Sequence, residues 1–227
     1  MTPRHDSLLT ELIEHYIATG QPISSGYLAT VHQPSVSPAT VRNELAQLEE
    51  QGYLEQPHTS AGRIPSEKGY RAYVKELVCR PLSTKRTQEC ASYIEELDRQ
   101  HVKSLAQYLA ESSGEMMYAA FGKHDTYYTG LANLVQKPEF AEQELLADIS
   151  RLIDHLDSVV EGVLQKQSEG VSLYIGSESG FGSACSTLVM RYTLDNTACI
   201  LGILGPMRMN YAFNKALLEG VYTIINT

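Results

Sequence analysis

Long apolar runs are missing from this chain. No stretch reaches the roughly 18 residues that a membrane-crossing helix needs, so no membrane span is expected. Cysteine is sparse: Cys79, Cys90, Cys185 and Cys199 are the four, and no two form a CxxC pair. That spacing argues against zinc and for free thiols in a reducing compartment. The amino terminus MTPRHDSLL lacks the apolar core of a signal peptide, so the cytoplasm is the expected location. The seven histidines include no HxxxH pair, and the loop 177–183 (SESGFGS) lacks the lysine and spacing of a phosphate-binding P-loop. Glu95, Glu96 and Asp98 read as a solvated helix face rather than a metal site. No Ser/His/Asp arrangement can be picked out. No catalytic residue, metal or cofactor is therefore expected, and an enzyme is the weakest functional class.

What is present fits a globular protein. At 227 residues, 43% hydrophobic and 20% charged, the chain can bury one large core or two small ones. The net charge of −9 is unevenly placed. Residues 1–86 carry nine Lys/Arg and nine Asp/Glu, so they are neutral; residues 87–227 carry nine and eighteen and hold the whole deficit. Phosphate would repel the acidic part. The neutral part can still present a basic face if its acids point away, with modest and salt-dependent affinity for a polyanion.

The first 80 residues are well punctuated. Thr2 can cap a helix over about Pro3–Ala18, with Leu8, Leu9, Leu12, Ile13, Tyr16 and Ile17 on one face and Gly20 at its end. A second helix starts near Ser24 or Ser25 and is broken at Gln33-Pro34. Ser37 and Pro38 begin a third, and Gly52 is placed to stop it. On that helix Val41, Leu45 and Leu48 share one side. Ala39, Asn43 and Ala46 point the opposite way, flanked by Thr40, Arg42 and Gln47. Small residues beside an amide and a guanidinium suit close entry into a DNA major groove; the competing reading is an ordinary solvated helix face.

Residues 55–74, EQPHTSAGRIPSEKGYRAYV, tip that balance. The run Pro57–Pro65 is too rich in turn formers for a strand interior, while Tyr53-Leu54 and Arg63-Ile64 can pair as short strands. Gly62 is placed to supply a positive φ at the tip. A hairpin directly after a recognition helix is the layout of a winged helix-turn-helix. A fourth helix, capped by Ser66, would place Lys68 and Arg71 for phosphate. Candidate DNA contacts are Thr40, Arg42, Asn43 and Gln47 on the third helix and Ser37 at its amino end. His58, Thr59, Ser60 and Arg63 are the candidates in the wing, followed by Lys68 and Arg71. His58 could equally be an uncharged turn residue.

Cys79-Arg80-Pro81-Leu82-Ser83-Thr84 reads as a linker, which gives a domain over 1–80, a linker over 81–86 and a second domain over 87–227. Residues 87–121 and 139–167 look like long amphipathic helices. Strand-type alternation follows at Val171–Ile175, Thr187–Tyr192 and Ala198–Leu204, and a helix over about Tyr211–Ile225 closes the chain. In GILGPMRMNY, Arg208 could bind an anion or a partner carboxylate, or cap the sheet and tie it to the last helix.

QPHTSAGRIPSEKGYRAYV is similar to the signature of the heat-inducible transcription repressor family HrcA. Similarity continues in LIEHYIATGQPISSGYLA and SPATVRNELAQLEEQGYLEQPHTSAGRIP, then in GLANLVQKPEF, YIGSES and GILGPMRMNY. The resemblance implies an α+β chain, an amino-terminal winged helix-turn-helix followed by a reduced GAF-like α+β domain with long helices. It implies a repressor of chaperone genes that binds an inverted-repeat operator in double-stranded DNA as a homodimer, with the GroEL chaperonin as a further partner. Family members have a larger second half. Here only about twenty residues separate the helix ending near Ala110 from GLANLVQKPEF, so the inserted dimerising domain and the first strands of the GAF-like sheet are expected to be missing. Dimer contacts would then fall to the helices at 87–121 and 139–167. The alternative is a ligand-sensing or protein-interaction module that has lost repressor function.

Overall fold

Small capping residues set the helix starts of the first part of the chain. In the computed structural model, which describes residues 2–31, 36–57, 62–78, 80–94, 97–122, 125–140, 153, 156–166 and 169–227, helix α1 spans Pro3–Thr19, with the Thr2 side chain accepting from the His5 N–H. Gly20, at φ 66°, closes it in the left-handed region. Helix α2 spans Ser25–Val31 and α3 spans Pro38–Glu50. Strands β1 (Leu54–Glu55) and β2 (Ile64–Pro65) pair antiparallel, and α4 covers Glu67–Lys75. Leu8, Leu12, Leu28, Val41, Leu48 and Tyr70 are buried together in this unit. By its contacts the chain divides into two compact units, Met1–Leu77 and Val78–Thr227.

The second unit is built on one antiparallel sheet of five strands. Helices α5 (Thr84–Ser92) and α6 (Arg99–Ser113) precede β3 (Met116–Ala120) and β4 (Thr126–Thr129). Helix α7 (Leu131–Val135) and a 3-10 turn (Pro138–Phe140) follow. Then come α8 (Leu156–Lys166), β5 (Gly170–Ile175), β6 (Cys185–Leu194), β7 (Thr197–Pro206) and α9 (Tyr211–Ile225). The strand order is β4-β3-β7-β6-β5. Asp195 and Asn196, at φ 48° and 61°, make the two-residue turn between β6 and β7. One sheet face buries Tyr118, Val189 and Leu204 under Leu134, Phe140 and Val160. On the other, Tyr211 of α9 lies 3.0 Å from the Ser186 hydroxyl, and α9 touches α5 and α6.

Two expectations change here. Residues 87–121 are not helical throughout, because Gly114 caps α6 in the left-handed region and the chain turns into β3. Among the described residues the sheet has five strands rather than three. The reason is burial: all of Met116–Ala120 is inaccessible between β4 and β7, so its apolar run shows no period of two and reads as a continuation of the helix. Asp98 is the amino cap of α6, accepting from the His101 N–H at 2.8 Å; Glu95 and Glu96 lie outside the described residues. Most of the helix expected over 139–167 also lies outside them; the part described is the 3-10 turn at its start, Ile153 and α8.

The glycines of GILGPMRMNY admit side chains from β3 and from Glu115 just before it. A Cβ on Gly202 would lie 2.2 Å from the Tyr118 ring, and one on Gly205 would lie 2.6 Å from Glu115 Oε2. Tyr118 reaches past Gly202 to the Thr187 hydroxyl at 2.8 Å, and Thr187 donates to the Ile203 carbonyl at 2.8 Å. Glu115 is 3% exposed. Its Oε1 accepts from Lys137 Nζ at 3.1 Å, while Oε2 is buried without a hydrogen bond among the described residues. Arg208 pairs with Glu139 through both Nε and an Nη group, so its place is structural, bracing the end of the sheet against the 3-10 turn.

Candidate nucleic-acid interface

Helix α3 is presented by its own sequence pattern. Val41, Leu45 and Leu48 are buried, and Ala39, Thr40, Arg42, Asn43, Ala46 and Gln47 are all exposed. Ser37 caps the helix, its hydroxyl accepting from the Thr40 N–H at 3.2 Å and lying 3.0 Å from the Thr40 hydroxyl. Both side chains are thereby oriented at the helix amino end, where backbone N–H groups and the helix dipole favour an anion. Arg4 of α1 meets Glu44 of α3 at 2.5 Å. That contact turns one acid of α3 toward the protein and away from the exposed strip. Among the described residues, Arg42 and Asn43 carry no ion pair or side-chain hydrogen bond. Ser37→Ala should lower stability by about 1 kcal/mol, the usual loss for an amino cap, as read from urea melts.

The hairpin after α3 is fastened at its base. Gly52, at φ 76°, turns the chain out of the helix. Ser66 donates to the Gly52 carbonyl at 2.7 Å, accepts from the Gly69 N–H at 3.1 Å, and its backbone N–H reaches the Tyr53 carbonyl at 3.1 Å. Arg63 pairs through its backbone with Ile23, N to O at 2.8 and 2.9 Å. Gly62 therefore serves close approach and not a positive φ. It is absent from the left-handed glycines, and a Cβ there would meet the Ile23 backbone at 2.4 Å. The expectation of a left-handed glycine at the tip is corrected accordingly, since antiparallel pairing with Ile23 needs extended backbone next to it.

The cations of this region are mostly engaged. Arg63 Nε lies 2.7 Å from Glu49 Oε2, but its N–H is not aimed along the contact, so the two attract as charges rather than through a directed hydrogen bond. Lys68 donates to the Gln51 carbonyl at 2.7 Å and sits 4.4 Å from the Tyr53 ring centre, a cation at the carboxyl end of α3. Arg71 pairs with Glu67 one turn earlier on α4. The structure thus joins Ser37, Thr40, Arg42, Asn43 and Gln47 on one exposed helix. It ties Arg63, Lys68 and Arg71 into intramolecular contacts. His58, Thr59 and Ser60 lie outside the described residues. Glu49 was not singled out from sequence, because a contact between a helix and the far arm of a hairpin leaves no periodic trace.

Among the described residues no helix is long and apolar enough to cross a membrane, and no group of three metal-ligating side chains converges.

Comparison with known proteins identifies a family over the second unit. Residues 71–213 match the family model described as HrcA protein C terminal domain. A heat-inducible transcription repressor HrcA of Pelotomaculum thermopropionicum is 56% identical over 77 residues, 34% of this chain and 22% of that protein. One of Natranaerobius thermophilus is 37% identical over 142 residues, 63% of this chain and 39% of that protein. One of Moorella thermoacetica is 45% identical over 113 residues, 50% and 32% respectively. The chain thus spans well under two thirds of the length of these curated relatives. A solved structure described as a hypothetical protein superposes with a TM-score of 0.76 over 99% of this chain and 96% of that one, at 16% identity, which is a likeness of fold.

Proposed function

The chain belongs to the HrcA family, whose model spans more than half of it, and we propose that it is a transcriptional repressor whose first unit is a winged helix-turn-helix that binds DNA. The observation that carries this reading is the exposed strip of α3, with Ala39, Thr40, Arg42, Asn43, Ala46 and Gln47 facing out and Val41, Leu45 and Leu48 held in the core. Small residues let the helix backbone come close to base edges. Asn43 can pair bidentately with adenine and Arg42 with guanine. Ser37 and the first turn of α3 hold a phosphate, and the wing and the start of α4 flank the backbone with His58, Thr59, Ser60, Arg63, Lys68 and Arg71. Two copies related by a twofold axis would read an inverted repeat. The relatives' printed name supports heat-inducible control, and the resemblance supports chaperone genes as targets and GroEL as partner. The second unit is read as a GAF-like regulatory and dimerising domain.

The test is binding to an inverted-repeat duplex and to its scrambled version at two salt concentrations. The expected result is preference for the repeat, weakening steeply with salt. Arg42→Ala or Asn43→Ala should lose about 1–3 kcal/mol, roughly tenfold to a hundredfold in affinity, and relax the base preference at one position. Equal binding to the two duplexes would end the specificity reading.

One observation favours the second reading, a ligand-sensing module without repressor function. A cavity of about 200 Å³ lies between α8 and β5, lined by Val159, Val163, Lys166, Tyr174 and Glu178 among others. It is smaller than the roughly 300–1,000 Å³ of ordinary ligand sites, and it says nothing about the strip on α3, so the repressor reading stands ahead of it.

A further inference from the structure

We infer that Glu49 is a specificity-determining residue of the DNA-binding face, masking the Arg63 charge from phosphates met out of register. The inference rests on the DNA-binding reading above. The Arg63 backbone is held: its N–H and its carbonyl are both paired with Ile23, and Gly62 beside it has no room against the same residue. Only its side chain can choose a partner. That side chain is 19% exposed and its acid 34% exposed, so the pair is screened less than one in open solvent. The undirected contact engages the guanidinium by charge, and since Nε is buried a phosphate would be met by the terminal Nη groups.

The rest of the face gives this pair its leverage. Lys68 and Arg71 are each tied to a carbonyl or an acid, Arg4 is tied to Glu44, and residues 1–86 are neutral overall. Attraction to arbitrary DNA grows with the number of phosphates a protein neutralises. With Glu49 in place, Arg63 contributes little to that attraction. It contributes only where docking of α3 brings a phosphate within reach of its remaining donors. Removing the carboxylate charge would hand Arg63 to any duplex.

The experiment uses the full chain and two probes: a duplex selected by the wild-type protein from a random pool, and a scrambled duplex of the same composition. Glu49→Gln keeps the size and removes the charge. Binding of the scrambled duplex by E49Q should tighten about three- to tenfold, with a salt slope steeper by about 0.9, the increment for one more phosphate. Binding of the selected duplex should change less, so the ratio falls. In an Arg63→Ala background the same substitution should have no effect on either slope. Unchanged slopes in E49Q, or a change that persists in R63A, overturn the inference while wild-type preference for its selected duplex leaves the DNA reading intact. Failure of the wild-type chain to enrich or bind any duplex overturns both.

Discussion

Replacing Gly69 by alanine is expected to cost the first unit a large share of its stability. A Cβ at this position would lie 2.2 Å from the Tyr53 carbonyl oxygen and 3.3 Å from its carbon, and backbone atoms cannot swing away as a side-chain tip can. Gly62→Ala meets the same obstacle at Ile23, 2.4 Å from both the carbonyl carbon and oxygen. Forcing such contacts apart costs about 3 kcal/mol, against a stability of order 4–11 kcal/mol for a unit of this size. Urea or thermal melts followed by circular dichroism should show the loss, a midpoint lowered by roughly 15 °C, with DNA binding lost at temperatures where the wild type still binds. Gly26→Ala supplies the contrast. Its Cβ would sit 3.9 Å from the nearest atom, Ser24 Oγ, on an exposed helical position, so it should leave stability unchanged or raise it slightly. Melts of G62A and G69A that overlay the wild type would mean that neither hairpin arm approaches its neighbour as described.

These glycines also mark how far the sequence could be read. Ser37, Ser66, Gly20 and Gly52 sit at helix ends because capping chemistry is local, and local chemistry is legible: α1 and α3 begin and stop within a residue or two of where the caps place them, and α4 begins where Ser66 places it. The inward face of α3 follows from a period of 3.6, so its outward strip was legible too. Gly62 and Gly69 were not, since the atoms that forbid a side chain there lie on Ile23 and Tyr53, 39 and 16 residues away in the chain. β3 was missed for a related reason. A strand covered on both faces loses the alternation that would announce it, and Met116–Ala120 is buried at every position. Arg63 is the instructive case among the site residues. Its charge type and place in a hairpin pointed to DNA, while the acid that holds it comes from another element and only the folded chain brings the two within 2.7 Å.

Stability of the second unit should fall as pH rises from about 4.5 to about 7, and Glu115→Gln should abolish that part of the fall. Burial drives the Glu115 carboxyl up from the usual 4.5 to about 7, partly opposed by Lys137 and then Arg208, with Glu139 adding to the rise. The sign follows from proton counting. Between the two values the folded protein keeps a proton on Glu115 that the unfolded chain has released, so raising pH favours the unfolded state until the folded group also ionises. Below about 4.5 both states are protonated and the full benefit is present; above about 7 it is gone. At about 1.4 kcal/mol per pH unit the change amounts to about 3 kcal/mol. Other carboxylates with lowered values slope the opposite way, so the readout is the difference between E115Q and wild type in urea midpoints across pH 4.5–8. The difference should grow in favour of the variant with rising pH, because glutamine reproduces the neutral acid beside Gly205 while giving up the charge contact with Lys137. Parallel pH profiles for the two proteins would mean that Glu115 ionises at its ordinary value, and that the Lys137 ammonium compensates fully for the water lost on burial.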